Sequence, residues 1–259
     1  MEEPPFCTNM DLIEFFQTYP KVAVAFSGGT DSSFLLYQAS KMAAEVSAYY
    51  VESAFQPAFE KEDAMRIASV CGVELHFLKA DILSVKEVTN NPANRCYYCK
   101  IRIFETIKNA AVRDGFTVLL DGTNASDDAS DRPGMKALEE LSVLSPLRIC
   151  GYTKDHIREE SRAAGLFTAD KPAYACLATR IATGETITAE KLRATEEAEN
   201  YLYSLGFRDF RVRRMGDTAK LQLKESQFTL AHQHREEIAA FLGRYYCAVC
   251  LDLVPRDSQ

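Results

Sequence analysis

The stretch that decides the fold is Lys21-Val22-Ala23-Val24-Ala25-Phe26-Ser27-Gly28-Gly29-Thr30-Asp31-Ser32-Ser33. Its first six residues read as a buried strand, apolar from Val22 to Phe26. The run passes directly into two glycines, and Asp31–Met42 beyond them reads as a helix with Phe34, Leu35 and Leu36 amid polar residues. Glycines let the backbone pass close to a ligand and take positive φ. The N–H groups at the helix start then face outward, with the positive end of the helix dipole behind them. Ser27, Ser32 and Ser33 add hydroxyl donors. The six residues Ser27–Ser32 read as a pyrophosphate cradle. No Lys follows the second glycine, so this is not a Walker A loop, and the spacing is not GxGxxG. A bare Ser-Gly-Gly would be only a glycine turn, with Asp31 or Ser32 as helix N-cap; the full pattern at a strand-to-helix junction favours the cradle.

Outward from this junction, short apolar runs alternate with amphipathic stretches. Val46–Val51, Val73–Leu78 and Phe116–Asp121 read as strands, and Leu141–Leu144 as a weak fifth. Pro57–Val70, Tyr97–Val112 and Thr153–Ala164 read as helices, the first opened by a proline and the last stopped by Gly165. This βαβα order predicts an α/β domain with a parallel sheet and helices on both faces. The pattern changes near Phe167. A long helix over 188–205, strands Phe210–Arg214 and Ala219–Leu223, a helix over 225–242 and a strand near Tyr246–Leu253 predict a smaller α+β domain. The expected division is 1–168 and 169–259.

Composition bounds the function. The chain has 259 residues, 47% hydrophobic, with 30 Lys+Arg against 37 Asp+Glu. That suffices for a buried core and argues against global disorder. The net charge of -7 argues against a general polyanion binder. All of the excess lies in the first 168 residues, since the remainder carries 13 basic and 13 acidic residues. Met1–Met10 has two acids and no base, which does not read as a secretory signal. No run approaches the roughly 20 apolar residues of a membrane span. The expectation is a soluble cytoplasmic protein.

Four of the eight cysteines form two CxxC pairs, Cys96/Cys99 and Cys247/Cys250. In a reducing compartment such pairs point to metal, cluster or redox chemistry more often than to disulfides. Cys96 and Cys99 sit before a predicted helix. Cys176 lies in Ala175-Cys176-Leu177-Ala178-Thr179-Arg180, where a nearby cation favours the reactive thiolate; a buried core cysteine is the plain alternative. Cys247/Cys250 fall on a predicted strand at i and i+3, on opposite faces, and with Cys7, Cys71 and Cys150 read as structural. Arg211 and Arg213 alternate on a strand and share one face, a geometry that suits a phosphate. By pattern alone they are a solvated edge strand, and Glu199 is an exposed helix-face charge.

The order of these motifs carries a resemblance. Ser-Gly-Gly-x-Asp-Ser after the first strand resembles the signature of the PP-loop ATP pyrophosphatases, of the adenine nucleotide α-hydrolase-like fold, and Leu120-Asp121-Gly122-Thr123-Asn124 resembles their second nucleotide turn. With Cys96-x-x-Cys99-Lys100, Asp131-Arg132-Pro133-Gly134, Ala175–Arg180 and Phe210–Arg213, the set resembles the LarE family from about Phe15 to about Leu253. LarE enzymes are ATP-dependent sulfur transferases of nickel-pincer nucleotide synthesis, which serves lactate racemase. The resemblance implies ATP and Mg2+, with ATP at Ser27, Gly28, Gly29, Asp31, Ser32, Ser33, Gly122 and Asn124. It implies catalytic roles for Cys176, Asp31 and Lys100, a substrate phosphate on Arg180, Arg211 and Arg213, and an acid at the sulfur site, Glu199. The substrate would be a small nucleotide-like carboxylic acid, pyridinium-3,5-biscarboxylic acid mononucleotide, and the sulfur would come from sulfide or a donor protein. Having all three cysteines, the chain matches the version in which Cys96, Cys99 and Cys176 hold a [4Fe-4S] cluster; in the other version Cys176 surrenders its own sulfur. A homo-oligomer is implied, and neither membrane nor nucleic acid is expected as partner. Two departures concern the substrate: Ile181-Ala182-Thr183-Gly184 replaces Phe-Pro-Tyr-Gly, and Gln222 stands where an acid is expected.

Three rivals share parts of this pattern. A tRNA thiolase uses the same loop and cysteines, but the charge balance lacks a basic stripe. A PP-loop amide or nitrile ligase would not need three placed cysteines. A non-catalytic ATP or iron–sulfur sensor would bind without turnover.

Overall fold

The computed structural model describes residues 10–127, 132–172 and 174–256. In chain order the elements are α1 (Leu12–Thr18), β1 (Lys21–Ala25), α2 (Thr30–Met42), β2 (Glu45–Glu52), α3 (Ala58–Cys71), β3 (Leu75–Lys79), α4 (Lys86–Thr89) and α5 (Arg95–Arg113). They continue with β4 (Leu119–Leu120), α6 (Arg132–Glu140), α7 (Pro146–Ile149), α8 (Lys154–Ala163), α9 (Ala189–Ser204), β5 (Arg211–Met215), β6 (Thr218–Gln222), α10 (Phe228–Gln233), α11 (Arg235–Leu242) and β7 (Ala248–Leu251). The chain forms two compact units. The first is the chain up to Ser53 with Ala58–Ile82 and Cys96–Ala173; the second is Ala54–Pro57, Leu83–Arg95 and the chain from Tyr174 on.

The first unit is built on a sheet of order β3-β2-β1-β4, with every pair parallel. A parallel strand covered on both faces should read as an unbroken apolar run, and Val22, Ala23 and Val24 in β1 are fully buried. Phe34, Leu35, Leu36 and Ala39 of α2 bury themselves in the same core as Val22, Val24 and Leu120. Each such side chain contributes about 1.5–3 kcal/mol relative to exposure. This is the α/β architecture that the βαβα order predicts. Two elements are shorter than expected. The strand expected over Phe116–Asp121 is only Leu119–Leu120, because the chain is still leaving α5: Gly115 takes φ 84° and the Phe116 amide bonds the Ala111 carbonyl. The expected strand at Leu141–Leu144 is a single parallel bridge between Leu144 and Leu120.

The second unit holds a three-stranded sheet of order β5-β6-β7, with β5 and β6 antiparallel and β6 and β7 parallel. Val212, Ala219, Leu221 and Leu223 pack with Ala198 and Leu202 of α9 and with Ile238 and Leu242 of α11. The helix expected over 225–242 is divided. A 3-10 turn, Glu225–Gln227, leads into α10, and His234, at φ -96° and ψ 11°, closes α10 and opens α11. Among the described residues no helix is long and apolar enough to cross a membrane.

Candidate functional site

The phosphate loop forms as its sequence demands. Gly28 takes φ +73°, and a Cβ there would stand 3.1 Å from the Glu60 carbonyl and the Ala64 amide of α3. Only glycine meets both conditions. The N-cap of α2 is Gly29, which supplies no side-chain cap, so the plain alternative of a turn capped by Asp31 or Ser32 does not hold. Both lie in the first turn instead. An uncapped helix start leaves N–H donors for an anion. Ser27 Oγ and Ser32 Oγ lie 3.0 Å apart across the loop, with Ser27 exposed and Ser32 buried. Ser33 differs from expectation: its side chain is fully buried and its amide bonds the Gly29 carbonyl. It faces the core and offers the loop surface no donor.

The second nucleotide turn packs against this loop. A Cβ on Gly122 would stand 2.9 Å from the Ser32 amide nitrogen, so the two motifs are in backbone contact. Parallel sheets form sites at strand carboxyl ends, and here the turns after β1 and β4 meet there. Asn124 is buried, and its side-chain oxygen accepts from the Ser126 amide at 2.8 Å. Asp121 is buried and accepts from Ser145 Oγ at 2.5 Å and from Thr123 Oγ1. Burial raises its pKa, opposed by those hydroxyls and by the nearby charge of Lys100. Lys100 thus stands within electrostatic reach of the turn.

Two lysines that sequence reasoning did not single out complete this side. Lys154 Nζ, at the start of α8, donates to both oxygens of Asp31 at 2.7 and 2.8 Å. Lys171 Nζ donates to the Gly28 carbonyl at 3.2 Å and pairs with Asp63 at 2.6 Å. Neither stands in a motif; only a contact across the fold marks them.

Cys96 and Cys99 lie inside the N-terminal end of α5, which begins at Arg95, one turn apart and half-buried. That spacing puts both on one helix face. Cys176 is in the second unit, half-buried, and caps the 3-10 turn Leu177–Arg180. Among the described residues no group of three or more His, Cys, Asp or Glu side chains that could hold a metal ion is found. The cluster expectation therefore rests on thiol chemistry and on the CxxC turn, not on an assembled trio. Of the cysteines expected to be structural, Cys71 and Cys150 have thiols pushed up to about 11 by burial. Cys247 and Cys250 are exposed, and Cys247 lies outside β7, so a packing role does not fit them. Cys7 and Asp131 lie outside the described residues.

The second unit gathers Arg180, Glu199, Arg211 and Arg213 around the Cys176 segment. Glu199 is not an exposed helix charge but is 6% exposed. It accepts from Arg180 Nε at 2.8 Å and Nη2 at 3.2 Å, from the Val212 amide at 3.0 Å and from Tyr174 Oη at 2.5 Å. Arg180 Nη1 donates to the Ala175 carbonyl at 2.8 Å and to Thr179 Oγ1 at 2.9 Å. Its guanidinium, 1% exposed, is thereby committed, which corrects its expected direct role on a phosphate. Burial works against its charge, and Glu199 outweighs that, so its pKa is raised. Arg211 is buried and lies 5.3 Å over the Tyr174 ring. Burial and the charges of Arg180 and Arg256 bring its pKa down to about 10. Arg213 is exposed along its length, bonds Gln222 Oε1 at 2.6 Å and the Thr179 carbonyl at 2.9 Å, and has its pKa lowered by partial desolvation of its guanidinium and by the charges of Arg180 and Arg256. The position expected to be acidic thus gives Arg213 a neutral acceptor. The other departure, Ile181–Gly184, is held by Asn91, whose amide donates to the Ala182 carbonyl at 2.8 Å and whose carbonyl accepts from Gly184.

A phosphate loop and a nucleotide turn joined at the strand ends of a parallel sheet define an ATP-utilising enzyme of the PP-loop class. Comparison with known proteins agrees. The family profile of the Queuosine biosynthesis protein QueC matches residues 21–95. An uncharacterized protein of Synechocystis sp. is 34% identical over 84% of this chain and 81% of its own length. The pyridinium-3,5-bisthiocarboxylic acid mononucleotide synthase of Lactiplantibacillus plantarum is 31% identical over 83% of this chain and 79% of its own. The tRNA-specific 2-thiouridylase MnmA of Thermotoga maritima is 28% identical over 58% of this chain and 54% of its own. The chain belongs to the LarE family of ATP-dependent sulfur transferases.

Proposed function

We propose that the chain converts a carboxylate of pyridinium-3,5-biscarboxylic acid mononucleotide into a thiocarboxylate at the expense of ATP. The observation that carries this reading is the contact of Gly122 with the Ser32 amide, which joins the two nucleotide motifs, in a chain 31% identical to a synthase of the corresponding thiocarboxylate. The substrate carboxylate oxygen attacks the α-phosphorus of ATP, and the bond to the β-phosphate bridging oxygen breaks. Pyrophosphate leaves and an acyl adenylate remains. Uncapped amides of α2, with Ser27 and Ser32, would bind the departing phosphates. Lys100 would balance the charge that develops beside Asp121. Sulfide, free or released by a donor protein, then adds to the acyl carbon, and AMP leaves with its electron pair.

Arg211 and Arg213 would take the substrate phosphate, and Arg180 would act as a positioning residue that fixes Glu199 and the Cys176 segment. The acceptor that Gln222 presents to Arg213 is uncharged, which leaves the arginine's charge for an anion. Cys96, Cys99 and Cys176 would be the thiolates to hold a [4Fe-4S] cluster, which would supply a binding place for sulfide. A homo-oligomer belongs to this reading and is tested by light scattering.

The experiment separates the two half-reactions. Asp31→Ala and Ser32→Ala should abolish substrate-dependent pyrophosphate release and keep any iron content. Cys96→Ala should keep pyrophosphate release and lose repeated sulfur transfer. After anaerobic reconstitution, about four irons per chain, lost in each cysteine variant, are expected. Sulfur transfer without iron, with Cys176 converted to dehydroalanine in the mass spectrum, would overturn the cluster and assign the sulfur to Cys176. Pyrophosphate release that ignores the carboxylate substrate would sink the substrate assignment.

A further inference from the structure

Asn91 is fully buried, and its backbone takes φ 52°, in the left-handed region. Asparagine enters that region more readily than most residues. Burying its amide is costly unless the polar atoms find partners. Here they do, and the partners belong to one distant segment of the second unit. The amide nitrogen donates to the Ala182 carbonyl, 91 residues away, at 2.8 Å and to the Ile181 carbonyl at 3.3 Å. The side-chain oxygen accepts from Arg95 Nη1 at 2.6 Å. That same nitrogen of Arg95 donates onward to the Ala178 carbonyl at 3.2 Å. The main chain adds two bonds: the Gly184 amide donates to the Asn91 carbonyl and the Ile187 amide to the Thr89 carbonyl, both at 2.8 Å. Residues 89–95 thus hold 178–187 by side chain and by backbone.

What they hold is the turn that Cys176 opens. The Cys176 carbonyl accepts from the Thr179 amide at 3.0 Å and from Thr179 Oγ1 at 2.8 Å, so the thiol-bearing residue moves with the turn Leu177–Arg180. Asn91 reaches that turn from both ends, through Arg95 at Ala178 and directly at Ile181 and Ala182. Apolar packing tolerates small slides; a satisfied buried polar network specifies one position. We propose that Asn91 is a positioning residue for sulfur transfer: it fixes the Cys176 turn, through Arg95 and the 181–182 carbonyls, without touching the substrate. This rests on the reading of Cys176 as a sulfur-delivering residue, and it holds for either fate of its sulfur. Transfer of AMP, the work of the phosphate loop in the first unit, does not call on Asn91.

Asn91→Gly tests this, because glycine keeps the left-handed backbone and removes both side-chain links. Pyrophosphate release and thiocarboxylate formation are measured on the full, anaerobically reconstituted chain with saturating Mg-ATP and carboxylate substrate, after a check of native circular dichroism. Misplacing a reacting group by about 1 Å costs about 100-fold in rate. Thiocarboxylate formation should therefore fall about 10- to 100-fold, while pyrophosphate release stays within about twofold of the wild type. In the metal-free chain, alkylation of Cys176 by iodoacetamide should quicken relative to that of the exposed Cys247. Equal loss in both half-reactions would make Asn91 a structural residue and overturn the proposal. So would unchanged thiocarboxylate formation or an unchanged alkylation ratio. If Asn91→Gly does not fold, Asn91→Asp carries the same comparison, since it keeps the shape and the acceptor for Arg95 and loses only the donors to residues 181 and 182. A wild type that releases pyrophosphate and forms no thiocarboxylate would instead overturn the sulfur-transfer reading itself.

Discussion

Glu199 has four donors converging on two oxygens, from Arg180, Tyr174 and the Val212 amide. A buried carboxylate so held is worth most when its partner would otherwise be stranded. Removing one member of such a pair leaves a desolvated charge, at about 3–5 kcal/mol. Glu199→Ala should therefore lower the free energy of unfolding by that amount in urea, and Glu199→Gln, which keeps an acceptor, by less. A loss below about 1 kcal/mol in Glu199→Ala would show that Arg180 finds solvent. Arg211 has the opposite economy. Burial and the neighbouring cations lower its pKa to about 10, so between that value and the ordinary one of a free guanidinium the unfolded chain binds more protons than the folded one. Stability then rises with pH through that interval, and at neutral pH the folded chain carries the cost of a buried cation. A bound phosphate relieves this. Inorganic phosphate at ten times its Kd should raise the stability of the wild type by about 1.4 kcal/mol. The rise should shrink in Arg211→Met, and an equal rise there would remove Arg211 from the anion site.

At the scale of elements, the loop after β1 and the turn after β4 depend on glycines for different reasons. Gly28 is needed for its positive φ and its approach to α3. Gly122 is needed because the Ser32 backbone leaves no space for a Cβ, at 2.9 Å. Gly122→Ala must push the two motifs apart by several tenths of an ångström. The expected result is weaker ATP binding with the fold retained, read by titration and by circular dichroism. Undiminished ATP affinity would mean that the turn is not part of the nucleotide site. The helices show how far local pattern reaches. Cys96, just ahead of the helix expected over Tyr97–Val112, is inside it because α5 begins at Arg95. The long helix expected over 225–242 breaks at His234, whose ring meets Glu237 in the first turn of α11. A hydrophobic period of 3.6 persists through a one-residue break, so periodicity does not register it.

For the whole molecule, the division of labour between the units follows from their chemistry. The first holds the phosphate loop, the nucleotide turn, Lys100, Lys154 and the CxxC turn. The second holds Cys176 and the arginine–glutamate cluster. The α/β class was legible because a doubly covered parallel strand must be apolar throughout, and Val22–Val24 is. The turn at Gly28 was legible because backbone conformation is a local demand. Four features were not. The burial of Glu199, the commitment of Arg180 to it, the inward aim of Ser33 and the pairing of Lys154 with Asp31 all depend on neighbours far along the chain. Arg180 and Glu199 are 19 residues apart, and Lys154 and Asp31 are 123. By itself the sequence determined the sheet, the phosphate loop and the supply of thiols and arginines. Only the tertiary structure decided which charges neutralise each other and which are left for an anion, because an ion pair is set by distance in space and by exclusion of water, neither of which is written in the order of residues.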